Sequence, residues 1–316
     1  LLLLGSGWQI QRFVEEQGGK IWSLLAVTLV LTMPTMMMYG RTVYLEAMVT
    51  GGFILIIRDI LLTNISNLNE KDAIRRGIIA SLVGAIKYPY LYLGLGGLIL
   101  LYGLSKNLRL TGLYVTGWIL IQAPFAIVDF FDHNNAFASF GPQFNGAITS
   151  ITSEVGDYTP VIAFKDIQGQ LLTPLLILFI IGLVMWLRKN LELRGRVVLL
   201  LILPATILFT FTLDFGWPRY HIPWLTALTI IGISGIVQPL PTTSSKKTKQ
   251  IYSIGLVILF ALSSIQIYGT LTETFDESQV IENRVDFRWE FIEQYSTLKS
   301  DIPENAVVLA LSLIHI

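Results

Sequence analysis

The sequence contains no cysteine. Disulfides and thiolate metal sites are thereby excluded, and the redox compartment stays open. Charge is scarce too: Asp, Glu, Lys and Arg make up 14% of the 316 residues, against about 25% in soluble domains. The 22 basic and 22 acidic residues cancel, so net charge gives no reason to expect a nucleic-acid partner. No Gly-rich phosphate loop of the Walker or Rossmann kind is present, which removes the usual signatures of ATP or NAD use. What remains is apolar, with 53% hydrophobic residues and a mean hydropathy of +0.63. Such a chain is expected in a membrane, as an all-α polytopic helical bundle.

A spanning helix needs about 20 largely apolar residues. The tail of one is read at 1–5, and full candidates at 21–38, 45–62, 112–130, 172–187, 196–213, 221–237 and 251–269. The stretch 77–104 carries Lys87-Tyr88-Pro89 in its middle, so it reads as two short helices meeting there. That makes nine helices plus a fragment. Composition turns polar after 270, and 271–310 reads as the start of an extracytoplasmic soluble domain. Both termini read as cut: the first residues are Leu1-Leu2-Leu3-Leu4, and 311–316 resembles a translated sequencing adapter.

Lys and Arg set orientation, because they concentrate in cytoplasmic loops. With 6–20 read as a cytoplasmic loop and the spans alternating, the inside receives clusters such as Lys71-Arg75-Arg76, Lys106-Arg109, Arg188-Lys189 and Lys246-Lys247-Lys249. The outside receives few: Arg41, Lys87, Lys165 and Arg219 before the polar tail. A single helix at 77–104 would reverse everything downstream and spoil this bias.

Those few outer cations are the candidates for chemistry, because charge near a span is expensive. Gly216-Trp217-Pro218-Arg219-Tyr220-His221-Ile222-Pro223-Trp224 lies between two apolar runs. Its aromatics favour the headgroup level, where Arg219 could grip a phosphate or simply snorkel to the surface within an aromatic belt. Arg41 and Glu46 flank the start of a span and could pair with each other. Lys87 between apolar arms wants an anion. Asp132-His133 opens a long outer loop, read at 131–171, and could act as acid/base or as ligands for a divalent metal, or merely be solvated.

Three segments together resemble membrane glycosyltransferases of the GT-C class, with family 39 and its relatives, the protein mannosyltransferases and aminoarabinose transferases, as the best match. They are Pro34…Arg41-Thr42-Val43-Tyr44-Leu45-Glu46-Ala47, Gly77…Gly84-Ala85-Ile86-Lys87-Tyr88-Pro89, and Arg219-Tyr220…Pro223. Tyr88-Pro89 stands where the family has Gly-Pro. The resemblance implies a truncated GT-C bundle over 1–270 that moves a sugar from a polyprenyl- or dolichyl-phosphate donor to an extracytoplasmic acceptor, with inversion. Carried over, Arg41 and Glu46 line the active site, Lys87 and Arg219 hold the lipid phosphate with Tyr220 near the lipid, and His133 matches a metal-binding His of some relatives. The family's acidic first outer loop falls upstream of Leu1, so this stretch alone is expected to be inactive.

Two other classes compete. A transporter or lipid flippase would line a path with these charges, but internal repeats, frequent in transporters, are not evident. A non-catalytic scaffold of glycan assembly is the third. The absence of Cys and of outer-face glycosylation acceptors points to a prokaryotic cell membrane.

Overall fold

The computed structural model describes residues 2–34, 36–37, 46–62, 68–86, 90, 93–136, 138, 160–189, 221–238 and 245–275. All regular structure among them is helical. The helices are α1 (Leu2–Gly18), α2 (Lys20–Leu31), α3 (Glu46–Leu62), α4 (Glu70–Ile86), α5 (Leu93–Ser105), α6 (Leu108–His133), α7 (Pro160–Gln170), α8 (Thr173–Lys189), α9 (Ile222–Val237) and α10 (Lys246–Phe275). The chain divides into two compact units, Leu1–Tyr268 and Gly269–Ile316, and the second is described only over the last residues of α10.

Local chemistry sets several boundaries. Asn107 caps α6, its side-chain oxygen accepting from the backbone N–H of Arg109 at 3.0 Å and of Leu110 at 3.2 Å. The same helix stops at Asn134, whose left-handed φ of 53° suits Asn better than most residues. Asn69 likewise receives the N–H of Asp72 at 2.9 Å, and Glu70 and Asp72 place negative charge on the first turn of α4. Gly19, at φ 87°, makes the tight turn between α1 and α2.

The centre of the bundle is α9. Every residue from Ile222 to Val237 is buried, as expected of a helix that is apolar all round. Its neighbours are α1, α2, α3 and α8. The α8 contact is backbone against backbone. A Cβ on Gly182 would collide with the Gly232 carbonyl, one on Gly235 with the Gly182 carbonyl, and one on Gly232 would sit 2.6 Å from Phe179 Cα. Small residues permit this approach, which is how helices gain packing where lipid offers no hydrophobic drive. Residue numbers rise together across the contact, from Phe179–Gly232 to Trp186–Gly235, so α8 and α9 run parallel.

A second close-packed group is α4, α5 and α6. A Cβ on Gly117 would meet the Ile74 carbonyl, and one on Gly77 the Tyr114 carbonyl. Polar bonds cross the same seam: Ser81 Oγ donates to the Trp118 carbonyl at 2.8 Å, and Gln122 Nε2 donates to Ser81 Oγ at 2.9 Å. Register again rises together, so α4 and α6 are parallel. Between them α5 runs the other way, with Gly94 against Trp118, Gly97 against Tyr114, and the Tyr114 hydroxyl donating to the Gly94 carbonyl at 3.0 Å.

These contacts give the bundle two ends. A Cβ on Gly18 would strike Val237, Arg58 bonds Glu16 at 2.8 Å, and the Tyr252 hydroxyl donates to the Val237 carbonyl at 3.0 Å. Arg109 pairs with Glu70 at 2.9 Å. The short link from Leu62 to Glu70, with Gly52 packed on Val83, makes α3 and α4 antiparallel. One end therefore gathers Lys20, Arg58, Lys71, Arg75, Arg76, Lys106, Arg109, Arg188, Lys246, Lys247 and Lys249. Among the described basic residues, Lys165 on α7 lies at the other end, where Gln266 accepts from the Leu172 N–H at 2.7 Å. The sequence reading put these same residues on one side of a membrane; Arg12, which it put there too, lies within α1.

Among the described residues, two helices are long and apolar enough to cross a membrane: Leu108–His133, and Lys246–Thr272 within α10. Only 11% and 17% of their apolar windows are buried. Core helices of a soluble protein would be covered; these expose Ile119, Leu120, Phe125 and Phe131, and Ile254, Val257, Phe260 and Ile265. Contiguous exposed apolar surface of this kind marks a lipid or partner interface.

Other apolar helices are shorter than the expected spans. The candidate at 21–38 ends as α2 at Leu31, where Thr32 bonds back to the Thr28 carbonyl at 2.8 Å and Pro34 follows. The candidate at 196–213 lies outside the described residues. At 77–104 the break is present, with α4 ending at Ile86 and α5 starting at Leu93.

Two loops need correction. The segment 6–20 is not a loop, since α1 runs through it to Gly18, burying Ile10, Phe13 and Val14 at i, i+3, i+4 spacing while Arg12 covers the Trp8 ring at 5.4 Å. The loop read at 131–171 is helical at both margins, in the last turn of α6 and in α7.

Candidate functional site

The end away from the basic cluster holds the start of α3 at Glu46, the end of α4 at Ile86 with Tyr90 just beyond it, the last turns of α6, and the start of α9 at His221. Arg41, Lys87, Arg219 and Tyr220 lie outside the described residues. Their described chain neighbours Glu46, Ile86, Tyr90 and His221 all belong to this end. Glu46 opens α3, and its side chain lies outside the description.

Asp132 and His133 are described, in the last turn of α6, and both are exposed. No group of three His, Cys, Asp or Glu arranged to hold a metal exists among the described residues. The metal expected at Asp132-His133 therefore finds no third ligand among them.

Two buried ionisable groups stand out. His221 is fully buried where α9 begins. The Trp224 indole N–H donates to its Nδ1 at 3.2 Å, and the rings meet edge to face with centroids 5.8 Å apart at 80°. An Nδ1 that accepts leaves the proton of the neutral ring on Nε2. Pro223 follows within the first helical turn, where its missing N–H costs nothing. His221 thus has a fixed ring plane and a fixed tautomer, at a helix N-terminus whose dipole favours negative charge.

The second is Asp129, 8% exposed and the one buried carboxylate among the described residues. It sits in the membrane-length helix α6, beside exposed Ile127, Val128, Phe130 and Phe131. Gln122, seven residues earlier on the same face, carries the bond to Ser81. Asp129 therefore lies on the same face of α6 as Gln122, and its exposed neighbours lie on the other faces.

Sequence reasoning passed over both residues. His221 was visible only as one member of an aromatic-basic run, though Trp at i+3 and Pro at i+2 are signs of a held ring. Asp129 was masked by the more prominent Asp132-His133 pair. The available signal was its i+7 relation to Gln122, an unusual polar stripe on so apolar a helix. Comparison with protein-family models, with curated proteins and with solved structures gives no match to this chain.

Proposed function

We propose that this chain is an integral membrane glycosyltransferase of the GT-C kind. It moves a sugar from a polyprenyl- or dolichyl-phosphate donor to a protein, lipid or glycan acceptor on the extracytoplasmic face of a prokaryotic cell membrane. The proposal extends the helical bundle to nine spans and puts the basic end in the cytoplasm.

One observation carries it. The end of the bundle opposite the basic cluster holds the buried pair His221–Trp224, buried Asp129, and the described neighbours of Arg41, Lys87, Arg219 and Tyr220. A polar site walled by apolar helices suits a ligand with a charged head and a hydrocarbon tail.

In this reading Arg219 and Lys87 meet the charge that develops on the departing lipid phosphate. Tyr220 lies along the lipid, and Arg41 and Glu46 border the sugar. The helix dipole of α9 and the Nε2 proton of His221 add further positive potential. No nucleotide is needed on this face, in keeping with the lack of nucleotide motifs.

The test is transfer. Full-length protein in liposomes is given polyprenyl phosphate carrying a tritiated sugar, with mannose tried first, and cell-envelope extract as acceptor. Label should move to the acceptor fraction only when the protein is present. Donor left intact across the sugars tried, with labelled lipid instead crossing the bilayer, would replace the transferase reading by the flippase one.

A further inference from the structure

We propose that the corner of the bundle where α4 and α6 begin seats the headgroup of an anionic membrane phospholipid, whose acyl chain lies along the exposed face of α6. The inference rests on the membrane placement of these helices and not on the transfer chemistry. It concerns the basic end of the bundle, opposite the proposed sugar site.

The first ground is charge. The Arg109–Glu70 contact at 2.9 Å sets the starts of α4 and α6 side by side. The first two turns of these helices, with the turn before α6, carry exposed Lys71, Arg75, Lys106 and Arg109 and half-buried Arg76. The acids there are Glu70, already on Arg109, and half-buried Asp72. Positive charge is therefore in excess. Lys71 and Arg75, at i and i+4, share one exposed face of α4. Basic clusters beside a span attract anionic headgroups, by roughly fivefold per cation.

The second ground is the backbone of the α5–α6 turn. Lys106 closes α5 in the left-handed region, at φ 51°, with its N–H donated to the Tyr102 carbonyl at 2.9 Å. Glycine takes such a conformation readily, as Gly19 does at φ 87° between α1 and α2. A lysine there is strained, and strain of this kind collects at functional positions. What lysine adds over glycine is its ammonium, which lies over the Tyr102 ring, 5.5 Å from the centroid. The orientation rule explains why cations lie on this side. It does not explain a lysine at a position that suits glycine.

The third ground is the apolar surface that continues from the cations. Tyr102 is 47% exposed and Leu108 74%. Ile119, eleven residues beyond Leu108, returns to the same face of α6 after three turns, about 16 Å along the helix, and it is exposed as well. Cation, aromatic ring and apolar strip are the groups that suit headgroup, interface and acyl chain in a leaflet. A soluble anion would engage the cations and leave Leu108 and Ile119 uncovered.

The experiment titrates the full-length protein in neutral detergent with phosphatidylglycerol and, separately, with phosphatidylcholine of the same acyl chains. Bound lipid is counted by native mass spectrometry. Wild type should hold phosphatidylglycerol more tightly than phosphatidylcholine. The triple variant Lys71→Gln/Arg75→Gln/Lys106→Gln should lose that preference by on the order of 100-fold, with phosphatidylcholine binding unchanged. Lys165→Gln, at the other end, should keep it. Lys106→Gly separates charge from folding: the turn relaxes, so Tm should hold or rise, while the preference falls roughly fivefold. No preference in wild type, a triple variant that keeps it, or Lys106→Gly with wild-type preference would each overturn the inference. Equal loss of both lipids in the triple variant would do the same. Wild type that fails to float with liposomes would overturn the membrane placement and this inference with it. Wild type that shows the preference but transfers no sugar would support the inference and count only against the transferase reading.

Discussion

Arg219→Ala is expected to abolish sugar transfer while the protein remains folded in detergent. In the proposed reaction the leaving group is a phosphate monoester whose charge grows as the bond to the sugar breaks. A guanidinium offers two parallel N–H donors to phosphate oxygens and stays charged at any working pH. In a water-poor pocket such a contact is worth far more than in bulk water, and removing one preorganised donor costs on the order of 100- to 1,000-fold in kcat. Arg219→Lys keeps the charge and loses the planar fork, so its rate should fall between wild type and Ala. The competing account, an aromatic belt with one snorkelling Arg, predicts near-normal transfer in Arg219→Ala. Measured initial rates in the three proteins decide between them, and wild-type activity in the Ala variant removes the phosphate-site reading.

Gly232→Leu should break the central pair of helices. The position has no room for a side chain: even a Cβ would lie 2.6 Å from Phe179 Cα and 2.7 Å from its Cβ. These are backbone and first side-chain atoms, which cannot swing aside, so α8 must move away from α9. Overpacking of this kind costs about 1–3 kcal/mol and sometimes more. At about 2–4 °C per kcal/mol for a chain segment of this size, Tm in detergent should fall by roughly 6–12 °C at the upper end of that cost. Because α9 starts at His221, transfer should fall with it. Gly112→Leu is the control, since nothing lies within 4 Å of a Cβ there. Equal thermal stability in Gly232→Leu and Gly112→Leu would contradict the close approach of α8 and α9.

Much of the bundle was legible because two signals reinforced each other. Apolar runs gave the helices, and Lys and Arg gave their alternation. The hairpin at Lys87-Tyr88-Pro89 is the clearest case, since reading one helix there would have scattered the basic residues over both ends. The parallel run of α4 and α6, with α5 between, keeps Lys71, Arg75, Arg76, Lys106 and Arg109 together.

What escaped the sequence reading shares a cause. The segment 6–20 carries Arg12, Glu15, Glu16 and Lys20, and that polarity reads as a loop. Its helical character lies in three residues, Ile10, Phe13 and Val14, whose spacing matters only once a partner surface exists. Asp129 posed the same difficulty. Whether a polar residue on α6 faces lipid or protein depends on rotation about the helix axis, and the Gln122–Ser81 bond reveals that rotation only in three dimensions. His221 needed the Trp224 indole to be seen in contact before its tautomer could be assigned.

The most direct test of the central claim, a lipid-phosphate site at the end opposite the basic cluster, needs no knowledge of the sugar. Equilibrium binding of polyprenyl monophosphate to the full-length protein in detergent is measured beside binding of the neutral polyprenol, in wild type and in Arg219→Ala. The account predicts saturable binding of the monophosphate to wild type, much weaker binding of the polyprenol, and loss of the difference in Arg219→Ala. Equal, unsaturable uptake of both lipids by both proteins would mean that the hydrocarbon tail alone is recognised, and would contradict the account.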